Sequence, residues 1–120
     1  MSLAGRWSGY WEARGWGRRS MSLTLRLGQG RIDGEGDDCI GAFTFVGTYD
    51  ENGRVSMVKQ YIGQHRLHYE GTYDGEGTIF GQWSQGPMWT GPFALKFEKA
   101  GDTSQEAVQF LSAEPATPGR

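Results

Sequence analysis

From Gly5 to about Glu98, apolar and polar residues alternate with a period of two, and turn residues break the alternation at short intervals. That period belongs to a strand with one buried face, because successive side chains point to opposite sides of the pleat. The breaks divide the segment into eight expected strands, at 5–12, 20–27, 30–36, 40–49, 54–62, 66–73, 77–84 and 88–98. No connection reaches the dozen or so residues that a parallel crossover requires, so consecutive strands should pair as antiparallel neighbours. Eight strands in a meander can close on themselves and remove both exposed edges. The expected fold is therefore all-β, an eight-stranded antiparallel up-and-down barrel, with a two-sheet sandwich as the alternative.

The face expected to point inward carries large rings and glycines: Trp7-Gly9-Trp11, Phe43-Phe45-Gly47-Tyr49, Leu67-Tyr69-Gly71-Tyr73, Ile79-Gly81-Trp83, and Trp89-Gly91-Phe93-Leu95. In the fifth strand two phases compete, Val55-Met57-Lys59-Tyr61 against Ser56-Val58-Gln60-Ile62. The first is the more apolar, and choosing it places Lys59 inside. Composition decides whether such a chain folds at all. With 20 glycines it is unusually flexible, but a net charge of −2 and a 13% share of aromatic residues are unlike a disordered chain. The charge balance offers no electrostatic footprint for nucleic acid. No apolar run is long enough for a membrane helix. With no apolar core at the N-terminus and one thiol, Cys39, the expected setting is the cytoplasm.

Beyond Lys99 the pattern changes. Thr103-Ser104-Gln105-Glu106 reads as a capping box, and Ala107, Val108 and Leu111 share a helical face. The expected organisation is one barrel domain over 1–100, then a short helix at about 103–113 and a tail within 101–120.

The two ends of the expected barrel differ. One carries the tight turns Gly28-Gln29-Gly30, Asp50-Glu51-Asn52-Gly53 and Asp74-Gly75-Glu76-Gly77. The other carries Ala13 to Arg19, Asp37-Asp38-Cys39, Gly63-Gln64-His65 and Gln85-Gly86-Pro87, which are longer or chemically more varied. Function tends to sit on loops held by a rigid frame, so this second end is the candidate mouth. The aromatic-x-Gly-x-aromatic repeats have two readings. They either open a pocket at mid-height, walled by rings, or permit tight coiling of the strands.

The opening Leu3-x-Gly5-x-Trp7, the tight turns after alternate strands and the Gly-Thr-Tyr endings at 47–49 and 71–73 resemble the calycin superfamily. The short meander is more similar to avidin-like barrels than to full lipocalins. That resemblance implies a small, often hydrophobic ligand inside the barrel. The cysteine pair of lipocalins is absent, and the polar pattern with which avidins hold biotin is not recognisable.

The residues expected to line a ligand site are Trp11, Phe43, Lys59, Tyr61, Tyr69, Trp83 and Trp89. Ring faces would stack on a planar or apolar ligand, while Lys59 and the tyrosines would fix its polar end. A buried lysine is costly unless paired, and the plainer alternative is a Lys59 that reaches the rim. Lys59 or Tyr61 acting as acid or base would make the barrel an isomerase or cyclase, so whether it is an enzyme stays open. Asp37-Asp38-Cys39 reads as a solvated hairpin with a semi-buried cysteine. Arg14, Arg18 and Arg19 form either an anion-attracting lip or a solvated loop. No cofactor and no metal are expected, because His65 and His68 lack converging ligands. Outward Tyr10, Val46, Val58, Ile62 and Phe80 offer a patch for self-association, from which a homodimer is expected, or for a purely structural or protein-interaction role. The expected partners are a small hydrophobic or aromatic ligand and a second copy, with neither nucleic acid nor membrane.

Overall fold

The computed structural model describes residues 2–100, and the expected helix at about 103–113 lies outside them. Eight strands follow one another: β1 (Ser2–Ala13), β2 (Gly17–Gly28), β3 (Arg31–Asp38), β4 (Ala42–Tyr49), β5 (Arg54–Tyr61), β6 (Arg66–Tyr73), β7 (Thr78–Gln85) and β8 (Trp89–Ala100). Each pairs antiparallel with the next, and β8 returns to pair with β1, so the sheet is a closed barrel and not a two-sheet sandwich. The first hairpin differs from expectation. The segment 13–19 is not a long loop: Gly17 and Ala13 are paired, and a tight turn through Gly15 joins two strands that stand taller than most of the wall.

The apolar phase points inward on every strand. Trp7, Leu25, Phe45, Met57, Tyr69, Ile79 and Leu95 are among the side chains that form one continuous core. In β5 the inward set is Val55, Met57, Lys59 and Tyr61, all buried, as the more apolar phase required.

Gly71 and Gly81 show what the inner-face glycines do. They oppose one another across β6 and β7, and a Cβ at Gly81 would fall 2.5 Å from the Cα of Gly71 and collide with the carbonyl of Glu70. The space a side chain would need is occupied by the neighbouring strand, so these glycines allow close approach and strong coiling. The mid-height pocket is therefore not formed.

The turns of the tight-turn end share a repeated polar chemistry. Asp50 Oδ1 accepts from the backbone N–H groups of Asn52 and Arg54, and Asp74 Oδ1 accepts from those of Glu76 and Thr78. Each turn is tied to the next strand: Tyr49 N–H donates to Gly30 O, Tyr73 N–H to Gly53 O and Phe97 N–H to Gly77 O. On the outer wall, Val46 and Val58 are paired across β4 and β5. Phe80 is separated from them by the exposed His68, Glu70 and Thr72 of β6, so the five outward apolar residues do not form one patch.

Candidate functional site

The core contains one buried ion pair, Lys59 with Asp38, whose side chains are both wholly shielded from solvent. Asp38 ends β3 in phase with Ile32, Gly34 and Gly36, which is the inward phase. It is therefore not part of a solvated hairpin, and Cys39 beside it is exposed, not semi-buried. Lys59 Nζ donates to Asp38 Oδ2 at 2.7 Å, to Tyr69 Oη at 3.2 Å and to Met21 Sδ at 3.6 Å. All three ammonium protons thus have acceptors. Asp38 Oδ2 also accepts from Tyr61 Oη at 2.7 Å and Trp11 Nε1 at 3.1 Å. Its Oδ1 accepts from the backbone N–H groups of Ile40 at 2.9 Å and Gly41 at 3.4 Å, which fixes the β3–β4 turn.

Aromatic rings surround the ammonium, with the Phe43 centroid 4.3 Å and the Tyr61 centroid 4.7 Å from Nζ. Ring faces attract a desolvated cation, and here they substitute for part of its lost hydration. Burial lowers the Lys59 pKa to about 8 against the opposing pull of Asp38. For Asp38, burial acts to raise the pKa, but the Lys59 hydrogen bond and charge, the Tyr61 hydroxyl and the Ile40 amide outweigh it and hold the carboxyl below its ordinary value. Burial, then the Asp38 hydrogen bond and charge, push the Tyr61 hydroxyl up, while burial and the same charge raise Tyr69. Both phenols therefore stay protonated, and Tyr61 stays a donor to Asp38.

Above this pair, at the expected mouth, the barrel opens into a cup of about 230 Å³. Trp11, Tyr61, Leu67 and Trp83 supply its deeper wall, and Trp16, Ile40 and Trp89 rise around it. His65, Gln85 and Ala13 complete the lining. The deep indoles are nearly enclosed, Trp11 at 6% and Trp83 at 5% exposure, whereas Trp16 at 48% and Trp89 at 53% stand open to solvent. Trp11 packs against Trp16 with centroids 6.0 Å apart and edge-on to Trp83 at 6.5 Å. Trp83 Nε1 donates to Glu12 O at 2.8 Å. The polar atoms of Trp11, Trp83 and Tyr61 are thus committed to protein acceptors, and these residues offer the cup apolar ring surface.

Of the residues expected to line a site, Trp11, Tyr61, Trp83 and Trp89 come together around the cup. Phe43, Lys59 and Tyr69 are buried in the core behind the cup and do not line it. Sequence reasoning missed Asp38, although its phase with Ile32, Gly34 and Gly36 was readable. Trp16, within the 13–19 connection at the candidate mouth, was left out of the expected lining; it reaches the cup because β1 and β2 continue past their expected ends. At the lip, Arg18 pairs with Glu12 and stacks over Tyr10 at 3.8 Å, on the outer face. Arg19 donates from Nε to Trp16 O at 3.0 Å, and its guanidinium lies 5.6 Å from the Trp16 ring centroid. Among the described residues no three His, Cys, Asp or Glu side chains converge as a metal site.

Fold and site together define a closed, eight-stranded antiparallel meander barrel with an aromatic cup at one end and a buried, hydrogen-bonded ion pair beneath it. Comparison with protein-family models gives no match, and neither does comparison with curated protein sequences.

Proposed function

We propose that the protein binds a small, planar, largely apolar ligand in the aromatic cup, as a calycin-like barrel with its site at the open end. The observation that carries this reading is the set of four indoles, Trp11, Trp16, Trp83 and Trp89, gathered from two hairpins, β1–β2 and β7–β8, around one open cavity. Two of them remain about half exposed, and leaving such large apolar surface in water is unfavourable unless something covers it. The size supports a ligand of one or two fused rings. A volume of about 230 Å³ exceeds the roughly 150 Å³ that admits a benzene and falls below the roughly 300 Å³ typical of drug-sized ligands.

Catalysis by Lys59 or Tyr61 has less support. Lys59 is wholly enclosed, and the Tyr61 hydroxyl donates to Asp38, which receives it in the core. The pair instead serves to hold the floor rigid, since one carboxylate fixes Trp11, Tyr61 and the β3–β4 turn at once. Isothermal titration calorimetry with a neutral bicyclic probe such as 2-naphthol tests the binding reading. Binding is expected, and Trp89→Ala should weaken it about fivefold, since an aromatic contact of this kind is worth roughly 1 kcal/mol. Unchanged affinity in Trp89→Ala and Trp16→Ala alike would place the ligand elsewhere.

A further inference from the structure

The orientation of a ligand in the cup follows from which polar groups remain available to it. At the floor they are committed: Trp11 Nε1 and Tyr61 Oη donate to Asp38, and Trp83 Nε1 donates to Glu12 O. Asp38 itself accepts five hydrogen bonds and is shut off from solvent. The inner end of a ligand therefore meets apolar surface and must itself be apolar.

The rim is different. Side chains there that lie in the inward phase include Arg19, opposite Trp11 on β2, His65, two residues before Leu67, and Gln85, two after Trp83. His65 and Gln85 line the cup, and Arg19 is anchored beside it on Trp16 through its Nε, which leaves the outer guanidinium edge presented. An amide, an imidazole and a guanidinium all carry N–H donors. Among the described residues no inward carboxylate other than the enclosed Asp38 stands at this end. The chain as a whole is acidic, with a net charge of −2, so a donor-rich, cationic rim runs against its average.

We propose that the ligand is a planar aromatic anion, its rings seated between the indoles and its negative end directed outward to Arg19, with His65 and Gln85 beside it. This rests on the binding reading above and reverses the expected polarity, in which Lys59 would have held the polar end inside. A guanidinium held by its Nε on the Trp16 carbonyl, 5.6 Å from the indole centroid, keeps its two terminal nitrogens for a carboxylate at the rim.

Calorimetry with three isosteric probes, 2-naphthoate, 2-naphthylmethanol and 2-naphthylmethylammonium, tests the assignment. The expected order is carboxylate, then alcohol, then ammonium. Arg19→Gln should weaken the carboxylate about three- to fivefold, as befits an exposed ion pair, and leave the alcohol unchanged. Arg19→Lys should restore most of the preference, and salt near about 1 M, where the screening length is about 3 Å, should erase it. The unchanged alcohol affinity shows that the cup itself is intact in each variant. Equal binding of carboxylate and alcohol, or a preference that survives Arg19→Gln, overturns the anion assignment while leaving a ligand-binding cup. Failure of all three probes to bind overturns both.

Discussion

Removing one member of the Asp38–Lys59 pair leaves a charge inside the barrel with no counter-charge. Lys59→Met is therefore expected to cost about 3–5 kcal/mol, and the double variant Lys59→Met/Asp38→Leu distinctly less, because it removes the orphaned charge as well. Urea unfolding of the two variants checks this, and a double variant less stable than the single would refute it. The pH dependence has a definite sign. Asp38 titrates below its ordinary value of 3.8 in the folded chain, so its contribution to stability is fully present above that pH and is lost as the pH falls through the folded value. Asp38→Asn should flatten that part of the acid limb in unfolding curves. Lys59 has the same sign in a different window: its pKa of about 8 lies below the ordinary 10.5, so its contribution also rises with pH, between those values. The Trp11 indole N–H, bonded to the same carboxylate, should show a chemical-shift step near pH 8. Lys59 was legible as an inward residue, because Val55, Met57 and Tyr61 set the phase. Its partner was passed over because Asp37-Asp38-Cys39 resembles a polar turn when read locally. Carrying the β3 alternation one step past Gly36 would have placed Asp38 inside, opposite an otherwise unpaired lysine.

Among the elements, strands and hairpins were almost wholly readable, because period-two alternation and turn chemistry agree along the chain. The expected β6, 66–73, matches Arg66–Tyr73 at both ends. Asp50 and Asp74 were readable as turn residues, and their side chains each take two backbone N–H groups. Asp74→Ala should cost about 1–2 kcal/mol, measurable as a lower denaturation midpoint, since it leaves two turn amides without that acceptor. What the inner glycines do was not decidable from spacing alone, because a gap and a close approach leave the same pattern. The distinction lies between strands, where Gly81 touches Gly71 and the Glu70 carbonyl. Gly81→Ala should therefore destabilise by about 1–3 kcal/mol through overpacking. A neutral effect there would mean that the strands are not so closely coiled.

At the scale of the whole molecule the barrel divides its work between its ends. One carries three tight turns, each hydrogen-bonded to a further strand, and the other keeps four indoles around an opening. The contrast between varied and tight turns pointed to the end where the aromatic cup lies. The cup itself is assembled from residues far apart in the chain, Trp11 and Trp16 beside Trp83 and Trp89, and alternation carries no information about such meetings. Trp7 completes the set of five tryptophans; it is buried in the core, edge-on to Phe97 and outside the cup lining, and its Nε1 has no hydrogen-bond partner among the described residues. It therefore serves as an internal control. The most direct measurement is a ¹H–¹⁵N correlation spectrum of the indole N–H signals during titration with 2-naphthoate. The Trp11, Trp16, Trp83 and Trp89 signals should move together along one binding curve while that of Trp7 stays in place. Movement of none of the four, or of Trp7 alongside them all, would contradict a ligand seated in the cup.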